Sequence, residues 1–95
     1  MARALIGDTV LADSSSTVFL EGNTYFPPGD VRKDLLAEGS RHYTCPWKGK
    51  ATYWDVRAGN RVYANAAWSY EAPKEAAKDI TGHVAFDTSI VKVTA

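Results

Sequence analysis

The chain has 95 residues, of which 45% are hydrophobic and 12% aromatic, and eleven basic side chains balance eleven acidic ones. This length predicts one domain over residues 1–95, with enough apolar side chains for a compact core that needs no disulfides. A formal net charge of zero excludes a global field that would attract nucleic acid or an anionic membrane, so we expect neither as a partner.

The single cysteine, Cys45, allows no internal disulfide and no cysteine-rich metal site. A single cysteine without an internal disulfide is typical of a reducing compartment and predicts a cytoplasmic protein. The first eleven residues match neither a secretory signal nor a membrane span. Two histidines, His42 and His83, are too few to hold a metal without help from carboxylates. We therefore expect no metal and no cofactor, and the sequence leaves the oligomeric state open.

Strand patterns dominate the first third of the chain. Residues 4–12 are apolar with β-branched members and predict one strand, which ends at the serine run 14–16. Two short strands, 18–21 and 24–26, flank the pair Gly22-Asn23, which is typical of a hairpin turn.

The middle of the chain begins with Pro27-Pro28, which stops the third strand. Residues 30–36 then predict one or two helical turns, because Val31 and Leu35 lie four residues apart on one face. Residues 41–44 lead as an extended segment into a turn around the cysteine.

The next two segments predict a long hairpin. Residues 50–58 alternate, with Thr52, Trp54 and Val56 on one face, and Gly59-Asn60 suits a two-residue turn. The return strand, 61–70, would carry five side chains on one face: Val62, Ala64, Ala66, Trp68 and Tyr70.

The last quarter contains the clearest helix pattern, over Pro73 to Asp79, which is proline-led, rich in alanine and followed by Gly82. Closing strands are predicted at 83–86 and 90–93. Together the segments predict a mainly β fold of about six to eight mostly antiparallel strands. The architecture would be a small barrel or a folded-over sheet with one short helix in the C-terminal half.

The segment Thr44 to Gly49 is the most informative, because it places the only cysteine beside a lysine and a tryptophan in one tight turn. Pro46 fixes its φ angle and Gly49 is free to adopt a positive one. A positive charge near Cys45 would favour the thiolate and suggests a site. The alternative is that Cys45 is a small buried hydrophobe and Lys48 a solvated turn residue.

Other side chains could join this site. Glu21 ends its predicted strand on the side of Phe19, so a buried Phe19 would direct the carboxylate inward, with Lys48 as a plausible partner. The alternative is an edge carboxylate that pairs with a surface lysine. Trp68 and Tyr70 are core residues by default, yet their polar atoms suit them to a wet pocket. Trp47 either plugs one end of the fold or forms a stacking wall.

The chain resembles the DUF427 family of small proteins. The resemblance extends in order from about residue 7 to residue 93 and is carried by five segments, namely Val10-Leu11-Ala12-Asp13-Ser14, Tyr25-Phe26-Pro27-Pro28-Gly29-Asp30-Val31, Cys45-Pro46-Trp47-Lys48-Gly49, Ala67-Trp68-Ser69-Tyr70-Glu71-Ala72-Pro73 and Ile80-Thr81-Gly82-His83-Val84-Ala85-Phe86. It implies a single, mainly β domain similar to β-tent folds.

The resemblance implies less about chemistry. The family often has histidine directly before the cysteine, where this chain has Thr44, with His42 two residues earlier. It is often labelled a nucleotidyltransferase domain, but the chain has scattered carboxylates and no glycine-rich phosphate loop. Its β-tent relatives often hold zinc through two Cys-x-x-Cys pairs, which a chain with one cysteine lacks.

Two functional hypotheses from different classes follow. In the first, the domain binds a small polar or anionic ligand in a pocket around the cysteine turn, lined by Glu21, Cys45, Trp47, Lys48, Trp68 and Tyr70. In the second, the domain is an enzyme in which Cys45 or Glu21 acts on such a ligand while Lys48 supplies positive charge. A third possibility is that these residues only hold the fold together.

Overall fold

A computed structural model describes all residues, 1–95, and contains nine β-strands and three 3-10 segments. The strands are β1 (Ala2–Ile6), β2 (Thr9–Ser14), β3 (Val18–Leu20), β4 (Asn23–Tyr25), β5 (Leu36–Cys45), β6 (Gly49–Ala58), β7 (Arg61–Ser69), β8 (Val84–Phe86) and β9 (Lys92–Thr94). The 3-10 segments are Pro28–Asp30, Lys33–Leu35 and Glu75–Ile80. None of these helical segments has the length or the apolar content needed to cross a bilayer.

The strands form three antiparallel sheets, ordered β2-β1-β9, β3-β4 and β5-β6-β7-β8. Isolated bridges connect them, as between Phe26 and Val84. The predicted mainly β, antiparallel fold is therefore confirmed. The sheets do not close into a barrel, because β5 and β8 remain the two edges of the largest sheet.

The N-terminal apolar segment is a hairpin of two strands, where the sequence predicted one strand over 4–12. Gly7 adopts a φ of 57° and reverses the chain, so that Ala4 pairs with Ala12. A positive φ costs glycine little, and this single residue divides an otherwise continuous apolar run. The division is one reason why the fold has nine strands and not six to eight.

The second hairpin turns one residue earlier than predicted, at Glu21-Gly22. Both residues have positive φ, 51° and 80°, as a type I′ turn requires. Glu21 therefore lies in a turn and not at the end of a strand. The prediction that a buried Phe19 directs the Glu21 carboxylate inward is wrong, since Phe19 is 73% exposed.

The helix predicted over residues 73–79 is not an α-helix. The chain forms a 3-10 segment, Glu75–Ile80, which is kinked at Ala77, where φ is −118°. Only Ala77 and Ile80 of this segment are buried. So few buried contacts do not offset the cost of nucleating an α-helix in a segment this short. The helical turns predicted over 30–36 are the 3-10 segments Pro28–Asp30 and Lys33–Leu35.

The single face predicted for residues 62–70 is interrupted at Asn65, which has a φ of 53°. The pairing of β6 with β7 shifts register there, between Trp54 and Val56. Four steps along β7, from Tyr63 to Ala67, lie opposite two steps along β6, so β7 carries two extra residues at this point. Val62, before the irregularity, is 64% exposed, while Ala66, within it, is fully buried. An irregularity of this kind disrupts the ladder locally and interrupts the alternation of the strand.

The buried side chains form two core clusters. The first is built from residues of β1, β2, the second half of β7 and β8, and it contains the edge-to-face pair Phe26 and Phe86, whose ring centroids are 5.7 Å apart. The second contains Tyr25, Cys45, Ala51, Tyr70, Ala77, Ile80 and Ala85. Cys45 and Tyr70 of the predicted site belong to this second cluster.

Candidate functional site

The turn between β5 and β6 presents the central residues of the site. Cys45 pairs with Gly49, which adopts a φ of 108°, a conformation that favours glycine. Two hydrogen bonds attach the turn to the segment before the third 3-10 helix: the backbone N–H of Lys74 donates to the Lys48 carbonyl (2.9 Å), and Lys74 Nζ donates to the Pro46 carbonyl (2.6 Å). Both bonds come from Lys74, which therefore anchors the turn to that segment.

The Lys48 side chain points into the protein, and only 9% of it is exposed. Its ammonium lies 4.9 Å from the ring centroid of Trp47 and 5.5 Å from that of Tyr70. Aromatic faces attract a cation at this range, most strongly where water is excluded. One carboxylate completes its surroundings, that of Glu21, which forms an ion pair with Lys48.

The Glu21 carboxylate accepts hydrogen bonds with both oxygens. Oε1 accepts from Lys48 Nζ, and Oε2 accepts from the indole N–H of Trp47 at 3.1 Å. The hydrogen bond from Lys48 is the main reason why the pKa of Glu21 lies below its ordinary value. The side chain is nevertheless 47% exposed, so it closes the site from the solvent side.

The ionisable groups around Lys48 influence one another. Burial alone would lower the pKa of Lys48, but the hydrogen bond to Glu21 and the nearby acidic groups raise it above its ordinary value. Burial raises the pKa of Tyr70 to about 12, even though the Lys48 charge acts in the opposite direction. Lys48 is therefore a fixed cation, and Tyr70 is neutral, at physiological pH.

Cys45 is buried, with 4% of its surface exposed. Burial raises the pKa of its thiol, but the backbone N–H groups of Lys48 and Trp47 and the Lys48 ammonium outweigh that effect and bring the pKa below its ordinary value. His42 offers no general base to this thiol, because it is exposed on β5. Three residues separate it from Cys45, which places the two side chains on opposite faces of the strand.

Trp68 packs against the second core cluster, which contains Cys45 and Tyr70. Its indole N–H donates to the hydroxyl of Tyr25 at 3.2 Å, and its ring lies 6.1 Å from that of Tyr53. Tyr25 is 1% exposed and burial raises its pKa. Sequence reasoning did not propose Tyr25 as a site residue. The signal was its place at the start of the segment 25–31, one of the five on which the family resemblance rests.

The structure thus brings the six predicted residues into one cluster. Glu21, Trp47 and Tyr70 contact Lys48 directly and Cys45 lies beside it. Trp68 packs against the core cluster that contains Cys45 and Tyr70. The side chains fill the space between them, and none of the five principal cavities of the domain is lined by any of the six. No three His, Cys, Asp or Glu side chains come together in a group able to hold a metal ion.

The arrangement has the parts of an anion-binding site. It holds one desolvated ammonium, one indole N–H donor and aromatic walls, and a carboxylate from the protein itself occupies the position between the two donors. Charge-assisted hydrogen bonds of this kind are about twice as strong as neutral ones.

Comparison with known proteins identifies the family of the chain. A search of curated proteins finds no match to the chain. A family described as "Domain of unknown function (DUF427)" matches residues 1–95, which is the whole chain. Its description leaves the activity open, so the site geometry is the evidence on function. The chain belongs to the DUF427 family over its entire length.

Proposed function

We propose that the domain binds a small anionic ligand, a carboxylate or a phosphate, at Lys48 and Trp47. The observation that supports this proposal is the occupant of the position between their two donors. A carboxylate, that of Glu21, already accepts from both the Lys48 ammonium and the Trp47 indole. An external anion would take its place and meet the same donors.

The Glu21 side chain is suited to move out of the position between the donors of Lys48 and Trp47. Glu21 stands at the tip of a hairpin whose two strands have three residues each, and its side chain is half exposed. Its φ of 51° is a conformation that residues other than glycine, asparagine and aspartate rarely adopt. Rotation of the side chain into solvent needs no movement of the cysteine turn, and it leaves the donors of Lys48 and Trp47 free.

The experiment compares anion binding by the wild type and three variants. Acetate and inorganic phosphate are titrated while the indole N–H signals are followed by NMR, with Trp47 as the reporter. Glu21→Gln removes the competing charge, Lys48→Met removes the cation, and Lys50→Met removes an exposed lysine two residues away as a matched control.

We expect Glu21→Gln to bind an anion about tenfold more tightly than the wild type, since it loses the internal competitor. Lys48→Met should not bind, and Lys50→Met should match the wild type. Equal binding by Lys48→Met and Lys50→Met would refute the proposed site. So would a folded Glu21→Gln that shows no saturable change at Trp47.

The alternative function is an enzyme that uses Cys45 or Glu21 on a small polar or anionic substrate, with Lys48 as the positive charge. The lowered pKa of the Cys45 thiol favours it, because a thiolate is the reactive form. A substrate would reach that sulfur only after Glu21 moved away. Faster labelling of Cys45 by a thiol reagent in Glu21→Ala than in the wild type would support this route, and equal slow labelling would exclude it.

We also propose a reducing, cytoplasmic location for the working protein. Its one cysteine is free and buried. The proposed reactive form of Cys45 depends on its remaining reduced.

A further inference from the structure

A cavity lies on the other side of β7 from the cluster around Lys48. Its volume is about 110 Å³, and it opens beside the Lys33–Leu35 segment. A water molecule needs about 10–15 Å³ of such space, so the cavity has room for roughly seven to ten heavy atoms. Apolar side chains form its walls: Trp54, Leu36 and Val84.

The floor of this cavity is polar. Ser69 is fully buried; its hydroxyl accepts from the indole N–H of Trp54 at 2.9 Å and donates to the Glu71 carboxylate. These contacts fix Trp54 and Glu71 in orientation and engage one carboxylate oxygen, Oε2 of Glu71. The other oxygen makes no hydrogen bond within the protein.

Two opposite charges line the same cavity without neutralising each other. Glu71 and Lys33 both border it, yet they form no ion pair with each other. Both residues are exposed, and neither is paired with a third residue. A ligand that carries both a positive and a negative group would find a partner for each charge at this cavity.

We propose that this cavity binds a short aliphatic α-amino acid in its zwitterionic form. The ammonium group lies against the free oxygen of Glu71, and the carboxylate lies against Lys33. The aliphatic side chain packs on the apolar walls, Trp54, Leu36 and Val84. The available volume limits the ligand to the size of alanine or valine.

The strand geometry makes this site separate from the anion site. Trp68 and Tyr70 face the Lys48 cluster, while Ser69 and Glu71 border the cavity. Successive residues of an extended chain point to opposite faces, which is why four adjacent residues serve two sites. No residue lines both.

The test is an NMR titration of the full chain with L-alanine and L-valine. The indole N–H of Trp54 reports on the cavity, and that of Trp47 reports on the Lys48 site. Propionate and ethylamine serve as matched ligands, because each keeps the alkyl group and one charge of alanine. The variants are Glu71→Gln and Lys33→Met, with Lys48→Met as the control for the other site.

We expect saturable shifts at Trp54 with alanine, and at least tenfold weaker binding of propionate and of ethylamine. Lys33→Met and Glu71→Gln should each lose about tenfold or more in affinity, while Lys48→Met should leave alanine binding unchanged. The Lys33 side chain is exposed and makes no hydrogen bond, so its variant is expected to keep the fold even if Glu71→Gln disturbs Ser69.

Three results would overturn the assignment. They are a Trp54 signal that does not saturate with alanine or valine, equal affinity for propionate and alanine, and full affinity in Lys33→Met. None of them bears on the anion site, since that proposal stands on Lys48, Trp47 and the response of Trp47. A loss of alanine binding in Lys48→Met alone would show that the two sites are one and refute the separate cavity site.

Discussion

Replacement of Asn65 tests how much the hydrogen bonds at the register shifts of the four-stranded sheet contribute to the free energy of unfolding. Asn65 Oδ1 accepts from the backbone N–H groups of Ser40 and Arg41, both at 3.1 Å, and its own N–H donates to Asp55 Oδ1 at 2.8 Å. These contacts hold three strands, β5, β6 and β7, at the position where both pairings shift register. We expect Asn65→Ala to be among the most destabilising polar substitutions.

The magnitude follows from two contributions. The two lost hydrogen bonds lie near the surface, so each contributes about 0.5–1 kcal/mol to the free energy of unfolding. Alanine must also adopt the φ of 53° that asparagine tolerates, which costs about 1 kcal/mol. Asn65→Ala should therefore lose about 2–3 kcal/mol, and Asn65→Gly about 1–2 kcal/mol, because glycine accepts the positive φ without strain.

Urea unfolding followed by tryptophan fluorescence measures the difference. For a domain of this size 1 kcal/mol corresponds to about 4–8 °C in Tm, so thermal unfolding should show Asn65→Ala about 8–24 °C below the wild type. Asn65→Gly should lie between the two. If Asn65→Gly is as unstable as Asn65→Ala, the backbone strain is absent, and if neither differs from the wild type, the hydrogen bonds contribute nothing.

Gly39→Ala provides a matched check, because a Cβ at Gly39 would collide with Asn65 Oδ1 and displace it. The double variant Gly39→Ala/Asn65→Ala should then be more stable than the sum of the two single effects predicts, since both changes break the same contacts. Additive effects would mean that Gly39 and Asn65 act independently.

Three further predictions concern the Lys48 cluster. Lys48→Met should raise the pKa of the Cys45 thiol, since the ammonium favours the thiolate, and labelling rates against pH measure it; an unchanged profile would contradict the assigned effect. Burial raises the pKa of Tyr70 to about 12, above its value in the unfolded chain, so this contribution to stability is complete below about pH 10 and is lost as the pH rises through about 12. Tyr70→Phe should flatten the alkaline loss of stability, and an unchanged alkaline limb would disprove the assignment. The purified protein should contain no stoichiometric zinc by elemental analysis, because one thiol and two histidines are a poor ligand set; zinc that is lost in Cys45→Ser would overturn this.

The sequence predicted the strands best where alternation and turn residues agree. The segment 50–58 and the turn at Gly59-Asn60 are found as β6 and the β6–β7 turn, because a clear period of two and a glycine with positive φ identify the same hairpin. The helix predicted over residues 73–79 is absent from the structure, because helix propensity is a local property and does not decide packing. The chain there packs only Ala77 and Ile80 inward, which a 3-10 segment achieves.

The candidate site was predictable in composition but not in geometry. The pairing of Glu21 with Lys48 is observed, yet the reason given from Phe19 is wrong. A type I′ turn centred on Glu-Gly is uncommon, since asparagine and glycine are preferred at its first position, so the sequence placed the turn one residue later. The burial of the Lys48 side chain could not be predicted either, because it depends on a contact with Tyr70, which is distant in sequence.

The position of Glu21 connects the strain of the turn with the chemistry of the site. A glutamate with a left-handed backbone conformation destabilises the fold more than asparagine or glycine would at the same position. Other contacts of the Glu21 side chain must therefore offset this strain. The structure shows where: two donors, Lys48 and Trp47, meet it. Without that carboxylate the buried ammonium would lack a counter-charge, which is costly to a fold. The proposed function uses this arrangement: the buried ammonium needs an anion, the protein supplies one from a strained and half-exposed turn, and an external anion that replaced it would keep the cation paired.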